Sequence, residues 1–324
     1  MKKRLLCAAM LVCASLTVHA ASGDADQYPA KPIRILDGFT PGGSTDFLAR
    51  LIGPKLTERL GQPVIVENRP GAGGNIAHEF TARAAPDGYT LMFISSAPLT
   101  ASPSLYRKLG YELKDFTYIS LAARGALVLV AHPSLPVKSL RELVSFARAQ
   151  PKAIRYGSGG VGANQHLTME LLKSRTGMDL LHVPYKGGGL AVTALLGGEI
   201  ETIFAPVIQA LPMIKAKRLN PLIVSSAKRN VALPSVPTAA EAGVANFEVT
   251  ASYGLLGPAG IPPSVVKLLN NEVRTILAMD DIKGRVNDQA LEIVASTPEQ
   301  FRAAMEAEAA QWARVIKDAN ITAN

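Results

Sequence analysis

The sequence predicts an α/β fold, a parallel sheet with helices on both faces, and two observations predict it. Short apolar runs of strand length alternate with longer segments in helical period, and Gly- or Ser-rich loops stand where apolar runs end. Ligands of open α/β sheets bind outside the carboxyl ends of the strands, so these loops are also the places to look for function.

The first strand lies near 33–39 and runs through Phe39-Thr-Pro-Gly-Gly-Ser-Thr-Asp46 into a helix near 46–60. A Gly-Gly turn that opens a helix offers unpaired backbone N–H groups and the positive end of the helix dipole, which together make a socket for an anion. Pro41, Gly42 and Gly43 supply the turn; Ser44, Thr45 or Asp46 can each serve as N-cap, Asp46 by accepting bonds from the first turn. Strands near 63–67 and 89–95 bracket a helix near 75–85, and the third strand ends in the loop Ser95-Ser96-Ala97. An apolar run at Ala126 to Ala131 follows, then a helix over Ser139 to Ala149. A strand at Ile154 to Tyr156 then feeds the loop Gly157-Ser158-Gly159-Gly160-Val161-Gly162 and a helix over Ala163 to Arg175. The unit repeats as Leu180 to Val183, the loop Tyr185-Lys186-Gly187-Gly188-Gly189 and a helix to Leu196. Strands near Ile200 to Phe204 and Leu222 to Ser225 come next, and two long helical segments, Pro263 to Ala278 and Pro298 to Asp318, close the chain. Four glycine or serine loops at strand ends imply a two-sided cleft.

The N-terminus reads as an export signal: Lys2-Lys3-Arg4, an apolar run from Leu5 to Val18, and Val18-His19-Ala20 before Ala21, an A-x-A-like cleavage site. The apolar run is shorter than the roughly 20 residues a bilayer span needs. Residues 1–20 are therefore expected to be cleaved and the mature chain to be exported and soluble. Both cysteines, Cys7 and Cys13, fall in the removed segment, and Val12 before Cys13 does not suit lipidation, so no disulfide or thiol chemistry is expected. Stability must come from core burial, which roughly 300 residues can supply, in two lobes. The net charge of +8 falls to +5 once Lys2, Lys3 and Arg4 are removed. That excess can steer small anions, but with no Lys/Arg block and 6% aromatics the chain has neither a phosphate track nor a stacking platform for nucleic acid.

Several chemistries are excluded by spacing. Gly157, Gly159 and Gly162 satisfy G-x-G-x-x-G, yet the next strand ends in Val183-Pro184-Tyr185 without the acidic residue that holds a ribose, Asp179 lying before that strand. No serine sits in G-x-S-x-G, His78-Glu79 has Ala82 where a second histidine would stand, and His132, His166 and His182 have no partners at metal-ligand spacing. No nucleophile, metal or cofactor is implied. His166, one turn into its helix, could point a polar tip into a cleft or be a satisfied half-buried histidine; Lys186 could neutralise an anion or be a solvated loop tip. Trp312, the sole tryptophan, is expected to lie remote from the cleft.

Pro32-Ile-Arg-Ile, Pro41-Gly-Gly-Ser-Thr-Asp46, the block from Leu60 to Asn75, Pro86-Asp-Gly-Tyr-Thr-Leu91, Val183-Pro-Tyr-Lys-Gly-Gly188 and Gly257-Pro-Ala-Gly-Ile-Pro262 resemble, in order, the periplasmic solute receptors of tripartite tricarboxylate transporters, the Bug or TctC family. The resemblance spans nearly the whole mature chain. It implies a type II periplasmic binding protein fold of two doubly wound lobes joined by two crossover strands, with lobe 1 at 28–124 plus 256–324 and lobe 2 at 125–255. It further implies a monomer that closes on a small carboxylate gripped by loop N–H groups and hydroxyls, and that serves a membrane permease or a sensor protein. Carried onto this sequence, lobe 1 presents Phe39, Gly43 to Asp46 and Ser95 to Ala97; lobe 2 presents Gly157 to Gly160, Tyr185 to Gly188 and the segment after Ile203, with His166 nearby. The crossings fall near Arg124 to Ala131 and Val249 to Leu256.

Two departures matter. Ala205-Pro206 stands where many relatives place Asp or Asn, which removes the partner of a ligand amino group and points away from amino acids. Ser252-Tyr253-Gly254 stands where relatives often have Trp-Tyr-Gly, which widens the cleft beside the hinge. The rival readings are an exported hydrolase using the same crevice, which lacks a visible nucleophile–base pair, and an interaction protein whose cleft binds no small molecule.

Overall fold

The computed structural model describes residues 28–322, so the expected signal peptide lies outside the described residues. In chain order the first part holds β1 (Ile33–Asp37), α1 (Ser44–Leu60), β2 (Val64–Asn68), α2 (Asn75–Ala82), β3 (Thr90–Ser95) and α3 (Ser96–Leu105). The middle holds β4 (Phe116–Ala131), α4 (Leu140–Ala149), β5 (Arg155–Ser158), α5 (Asn164–Thr176), β6 (Leu181–Pro184), α6 (Gly188–Leu196), β7 (Thr202–Pro206), α7 (Val207–Lys215) and β8 (Asn220–Val224). The last part holds β9 (Thr250–Pro258), α8 (Pro263–Leu277), α9 (Asp280–Asp288), β10 (Leu291–Ile293) and α10 (Pro298–Asp318).

The strands follow the order β2-β1-β3-β9-β4-β7-β5-β6, with β8 and β10 each pairing β4. At one end β1 runs parallel to β2 and β3, Ile35 standing opposite both Val66 and Leu91. At the other, β5 runs parallel to β6 and β7. Between them β4 and β9 lie antiparallel, Phe116 to Ala126 against Thr250 to Pro258. Beyond Ala126, β4 continues as the partner of β7 and β8. One 16-residue strand is thus shared by both halves of the sheet.

The helices form where apolar spacing allows one face to be buried. Leu48, Ile52 and Leu56 of α1, at successive four-residue steps, are fully buried, and Gly61 in the left-handed region ends the helix by returning its N–H to Thr57 O. In α10 Thr297 and Gln300 form a capping box, and Phe301, Met305, Trp312 and Ile316 are buried. The Phe301 ring meets Tyr118 of β4 edge-on at 5.1 Å. Asn270 of α8 donates to Ile119 O at 2.7 Å and Ser296 O at 2.9 Å, tying β4 to the segment before α10.

Five elements depart from the sequence expectation, one of them α9, which was not anticipated between the two long closing helices. α3 carries Pro98 and Pro103 and reads as loop, yet it forms because Pro98 sits in its first turn, where no intrahelical N–H is needed. The apolar run read from Ala126 begins at Phe116, its polar Thr117, Ser120 and Arg124 being tolerated in a strand covered unevenly on its two faces. α7 is masked because Val207 and Ile208 extend the apolar run of β7. β10, at three residues, is too short to signal itself.

Replacing Phe301 by Ala removes a fully buried ring from beneath β4 and should cost about 3–5 kcal/mol of stability, read as a lower urea midpoint at unchanged slope.

Candidate functional site

Because the outer strands of each half are parallel, their helices start at the same edge of the sheet. Five helix N-termini open on one crevice between the halves. α1 contributes Gly43, Ser44 and Thr45; α3 contributes Ser95 and Pro98; α5 contributes Asn164 and Gln165; α6 contributes Gly188 and Gly189; α7 contributes Pro206 and Gln209, and Phe39, Thr40 and Tyr253 complete the wall. The crevice is small, with a volume of about 40 Å³. No Asp, Glu, Lys, Arg or His lines it. Its electrostatic character therefore comes from first-turn N–H groups, each helix end acting as about half a positive charge.

The turn before α1 is held from behind by two carboxylates. Fully buried Asp37 accepts from Phe39 N at 3.1 Å, Thr45 Oγ1 at 2.9 Å and Asn68 Nδ2 at 3.3 Å. Burial pushes its carboxyl up to about 7, against the pull of the Thr45 and Phe39 hydrogen bonds. Asp46 accepts from Gly42 N at 3.0 Å, Arg50 Nε at 2.8 Å and Asn68 Nδ2 at 3.0 Å. Thr45 spends its hydroxyl proton on Asp37 and so offers the crevice its backbone N–H.

Among the described residues, three buried side-chain atoms have no hydrogen-bond partner: Ser44 Oγ, Asn164 Oδ1 and Gln209 Oε1. All three residues line the crevice. Ser44 lies close enough to Tyr253 to restrain the rise of its phenol, which burial pushes up to about 12, but not in hydrogen-bonding geometry with it. A buried polar group left unpaired costs about 1–3 kcal/mol, so the three together favour a polar guest. Rotating the Gln209 amide by half a turn presents N–H instead of O, which lets it serve as a donor.

The two halves touch around this crevice. Asn164 Nδ2 donates to Ser95 Oγ at 2.7 Å, leaving the Ser95 proton free to point inward, and Tyr106 Oη donates to Val161 O at 3.2 Å. At Gly187, with φ +152°, a Cβ would stand 2.4 Å from Thr40 Oγ1; at Gly73, with φ +66°, it would stand 2.4 Å from Val161 O. An outer chamber adjoins the crevice, walled by Gly38, Phe39, Gly71 to Gly74 and Tyr106 on one side and Gly159 to Val161 and Pro184 to Lys186 on the other.

Of the residues expected at the site, Phe39, Gly43, Ser44, Thr45, Ser95, Gly188 and Pro206 line the inner crevice. Gly159, Gly160, Tyr185 and Lys186 line the outer chamber with Phe39, and Gly187 stands at the contact with Thr40. Seven others line neither space. Asp46 is consumed by Gly42, Arg50 and Asn68. Ser96 Oγ turns outward to Glu308 at 2.9 Å, Ala97 and Ala205 are packed in the core, and Gly157 faces Ile200 and Ala191. Ser158 and His166 are buried beneath the loop they were expected to expose. Thr40, Pro98, Asn164, Gln165, Gly189 and Gln209 line the crevice without having been expected there. Trp312 lines neither space; its Nε1 donates to Glu308 at 3.1 Å, and the same carboxylate oxygen accepts from Ser96 and Thr100 of α3.

Ser158 Oγ lies 2.6 Å from His182 Nε2, a nucleophile–base spacing that the sequence does not reveal. The serine has no exposed surface, however, and its oxygen bonds Gly160 O at 3.0 Å and Gly160 N at 3.1 Å. The pair thus braces the loop. His182 stacks on Tyr156 and His166 with centroids 4.8 and 4.2 Å away, and His166 Nδ1 accepts from Gly162 N at 3.2 Å. Burial lowers His166 to about 4 and His182 to about 3, Lys173 adding to the first and the neighbouring His166 to the second. Among the described residues no group of three or more His, Cys, Asp or Glu could hold a metal ion, and no helix is long and apolar enough to cross a membrane.

Residues 48–321 match the family model described as "Tripartite tricarboxylate transporter family receptor". Protein BugT of Bordetella pertussis is 37% identical over 301 residues, 92% of this chain and 92% of its own length. Among solved structures, R. palustris Rpa4515 with adipate is 35% identical at a TM-score of 0.87, covering 91% of this chain and 99% of that one. MatC (Rpa3494) from Rhodopseudomonas palustris with bound malate is 31% identical at 0.86, covering 89% and 100%.

A Gly187→Ala variant should meet Thr40 before the halves close. It should weaken ligand affinity at least about tenfold, beyond a strain cost on the order of 1–3 kcal/mol in stability, and abolish ligand-induced compaction in small-angle scattering. Acid provides a second check. An unfolded histidine titrates near 6.5, so from about pH 6.5 down to about 4 the unfolded chain binds protons that folded His166 and His182 refuse, and stability falls as pH falls. Asp37, with its raised value, titrates in the opposite sense. The comparison is therefore made between the parent and a His166→Gln, His182→Gln double variant, which should lose less stability from pH 6.5 to 4.5, on the order of 1 kcal/mol per histidine by urea unfolding.

Proposed function

The chain belongs to the tripartite tricarboxylate transporter receptor family, and from that premise we propose that it is an extracytoplasmic solute receptor whose two halves close on a small organic carboxylate. The observation that carries the reading is the convergence of five helix N-termini and three unpartnered polar atoms on a crevice without an ionic side chain. A carboxylate needs several lone pairs filled once it leaves water, and fixed N–H and O–H donors fill them without a buried counter-charge. The structures of relatives holding adipate and malate support the same ligand class.

The segment after β7 refines the choice. Pro206 lines the crevice and Gln209, one turn on, brings a neutral amide where no carboxylate is available. An ammonium group would lack an anionic partner, so the ligand is a carboxylate without an amino group. Capture follows closure: the open halves admit the anion, the loop dipoles on one side take its carboxylate, and contacts such as Asn164 to Ser95 then favour the closed form. No bond of the ligand is broken, since the Ser158–His182 pair has no access to it. The receptor acts in the periplasm after removal of residues 1–20 and hands its ligand to a membrane permease of the tripartite tricarboxylate type or to a sensor protein.

A thermal-shift panel of mono-, di- and tricarboxylates, aromatic acids and amino acids tests this. One carboxylate class should raise the unfolding temperature, by about 2.7 kcal/mol of stabilisation at a hundred times Kd, and be recovered chemically unchanged; turnover would indicate an enzyme, and silence across the panel would indicate an interaction protein.

A further inference from the structure

The crossing strands carry a second space on the face turned away from the crevice. Tyr253 of β9 lines the crevice, and side chains alternate faces along a strand, so Thr250 and Ser252 point the other way. Ala126 and Arg124 of β4 stand opposite these two in register and share their face. Thr250, Ala126 and Arg124 all line a groove of about 550 Å³, none of whose residues lines the crevice. One wall comes from the second half, Lys228 to Val231 in the segment after β8; the other comes from the first half, Ala290 to Glu292 at β10. Each wall is bonded within itself. Arg229 donates to Glu241 at 2.9 Å and to Pro234 O at 3.0 Å, and Arg124 donates to both oxygens of Glu292 at 2.9 and 2.8 Å. Among the described residues no hydrogen bond or ion pair joins 226–231 to 287–292. Val231, 89% exposed, stands on its wall with the groove before it.

We propose that this rear groove sets ligand affinity from outside the crevice, by limiting how far the halves can part. The inference rests on the closure reading above. Halves that part at the crevice by bending β4 and β9 must approach each other at the rear, because the two spaces lie on opposite faces of the same strands. The groove is wide here, at about 550 Å³, where the halves touch around a crevice of about 40 Å³. Opening narrows it and brings Val231 and Lys228 toward the opposite wall, and no bond across the groove has to break for the walls to move. Only the closed fraction of the free protein is competent to hold the ligand from both sides, so the apparent Kd is the intrinsic value divided by that fraction. A side chain that fills the groove blocks the narrowing, raises the closed fraction and tightens binding without touching the ligand.

The test places a bulky ring in the groove from either of two exposed positions, Val231→Trp and Lys228→Trp, with Lys317→Trp on the exposed side of α10 as the control outside the groove. Small-angle scattering of the free proteins should show both groove variants more compact than the parent and close to the ligand-bound parent. Calorimetric titration with adipate, malate and the other acids of the panel above should show them binding the parent's ligand about tenfold more tightly. That gain follows if about a tenth of the free parent is closed and most of each variant is. Lys317→Trp should match the parent in both measurements. Parent-like scattering from both free groove variants, an affinity no tighter than the parent's, or an equal gain in Lys317→Trp overturns the proposal and leaves the carboxylate-receptor reading standing. A parent that binds no acid of the panel overturns the receptor reading instead, and the scattering of the free variants then decides the groove.

Discussion

A negative charge shut between two halves of a protein must be met by something, and here the sheet's direction supplies it. Parallel outer strands place the start of every following helix on one edge, so the peptide dipoles of α1, α3, α5, α6 and α7 all point toward the same crevice. The alternative, a buried arginine or lysine, would bring a desolvation cost of its own and would leave an uncompensated cation in the ligand-free state. Oriented amides carry no net charge and are already in place before the guest arrives, which is what preorganisation means in energetic terms.

Preorganisation needs a rigid backing, and the residues behind the turns provide it. Asp37 and Asp46 are not aimed at the ligand; they fix Phe39, Gly42 and Thr45 through short hydrogen bonds, with Asn68 bridging the two carboxylates. On the other half, the stacked Tyr156, His166 and His182 underlie the 158–162 loop, and Ser158 and His166 hold its amides in place. In both halves a buried polar cluster holds the backbone, and the backbone presents the donors.

Much of this was legible because it is local. A strand, a glycine turn and a helix in immediate succession identify the Phe39 to Asp46 and Tyr185 to Gly189 loops without tertiary information, and most elements follow from patterning of the same range; the antiparallel pairing of β9 and β4 at the centre of a sheet expected to be parallel does not, because it joins segments far apart in sequence. What lay beyond reach depended on angles and registers. Whether Asn164, Gln165 or His166 faces the crevice is decided by the rotation of α5 about its axis, and the histidine turned inward against Tyr156. Gln209 was hidden because its helix begins inside an apolar run, and Ser96 read as a ligand contact although α10 supplies it with Glu308. Ser158 and His182 meet only because β5 and β6 are in a register that sets Tyr156 beside His182 and Ser158 beside Pro184. What the loops could offer chemically was readable in the sequence, whereas individual side chains needed the packing.

The shared strand has a mechanical consequence. β4 and β9 pass between the halves side by side and are bonded to each other along most of their common length. Two adjacent tethers resist twisting and sliding more than bending about a line across both, so the closure proposed above would run about that line, as a book turns on its spine. Entry and release would then reduce to a single angular coordinate, and any agent that set that angle, from inside the crevice or from a surface behind the spine, would set the occupancy as well.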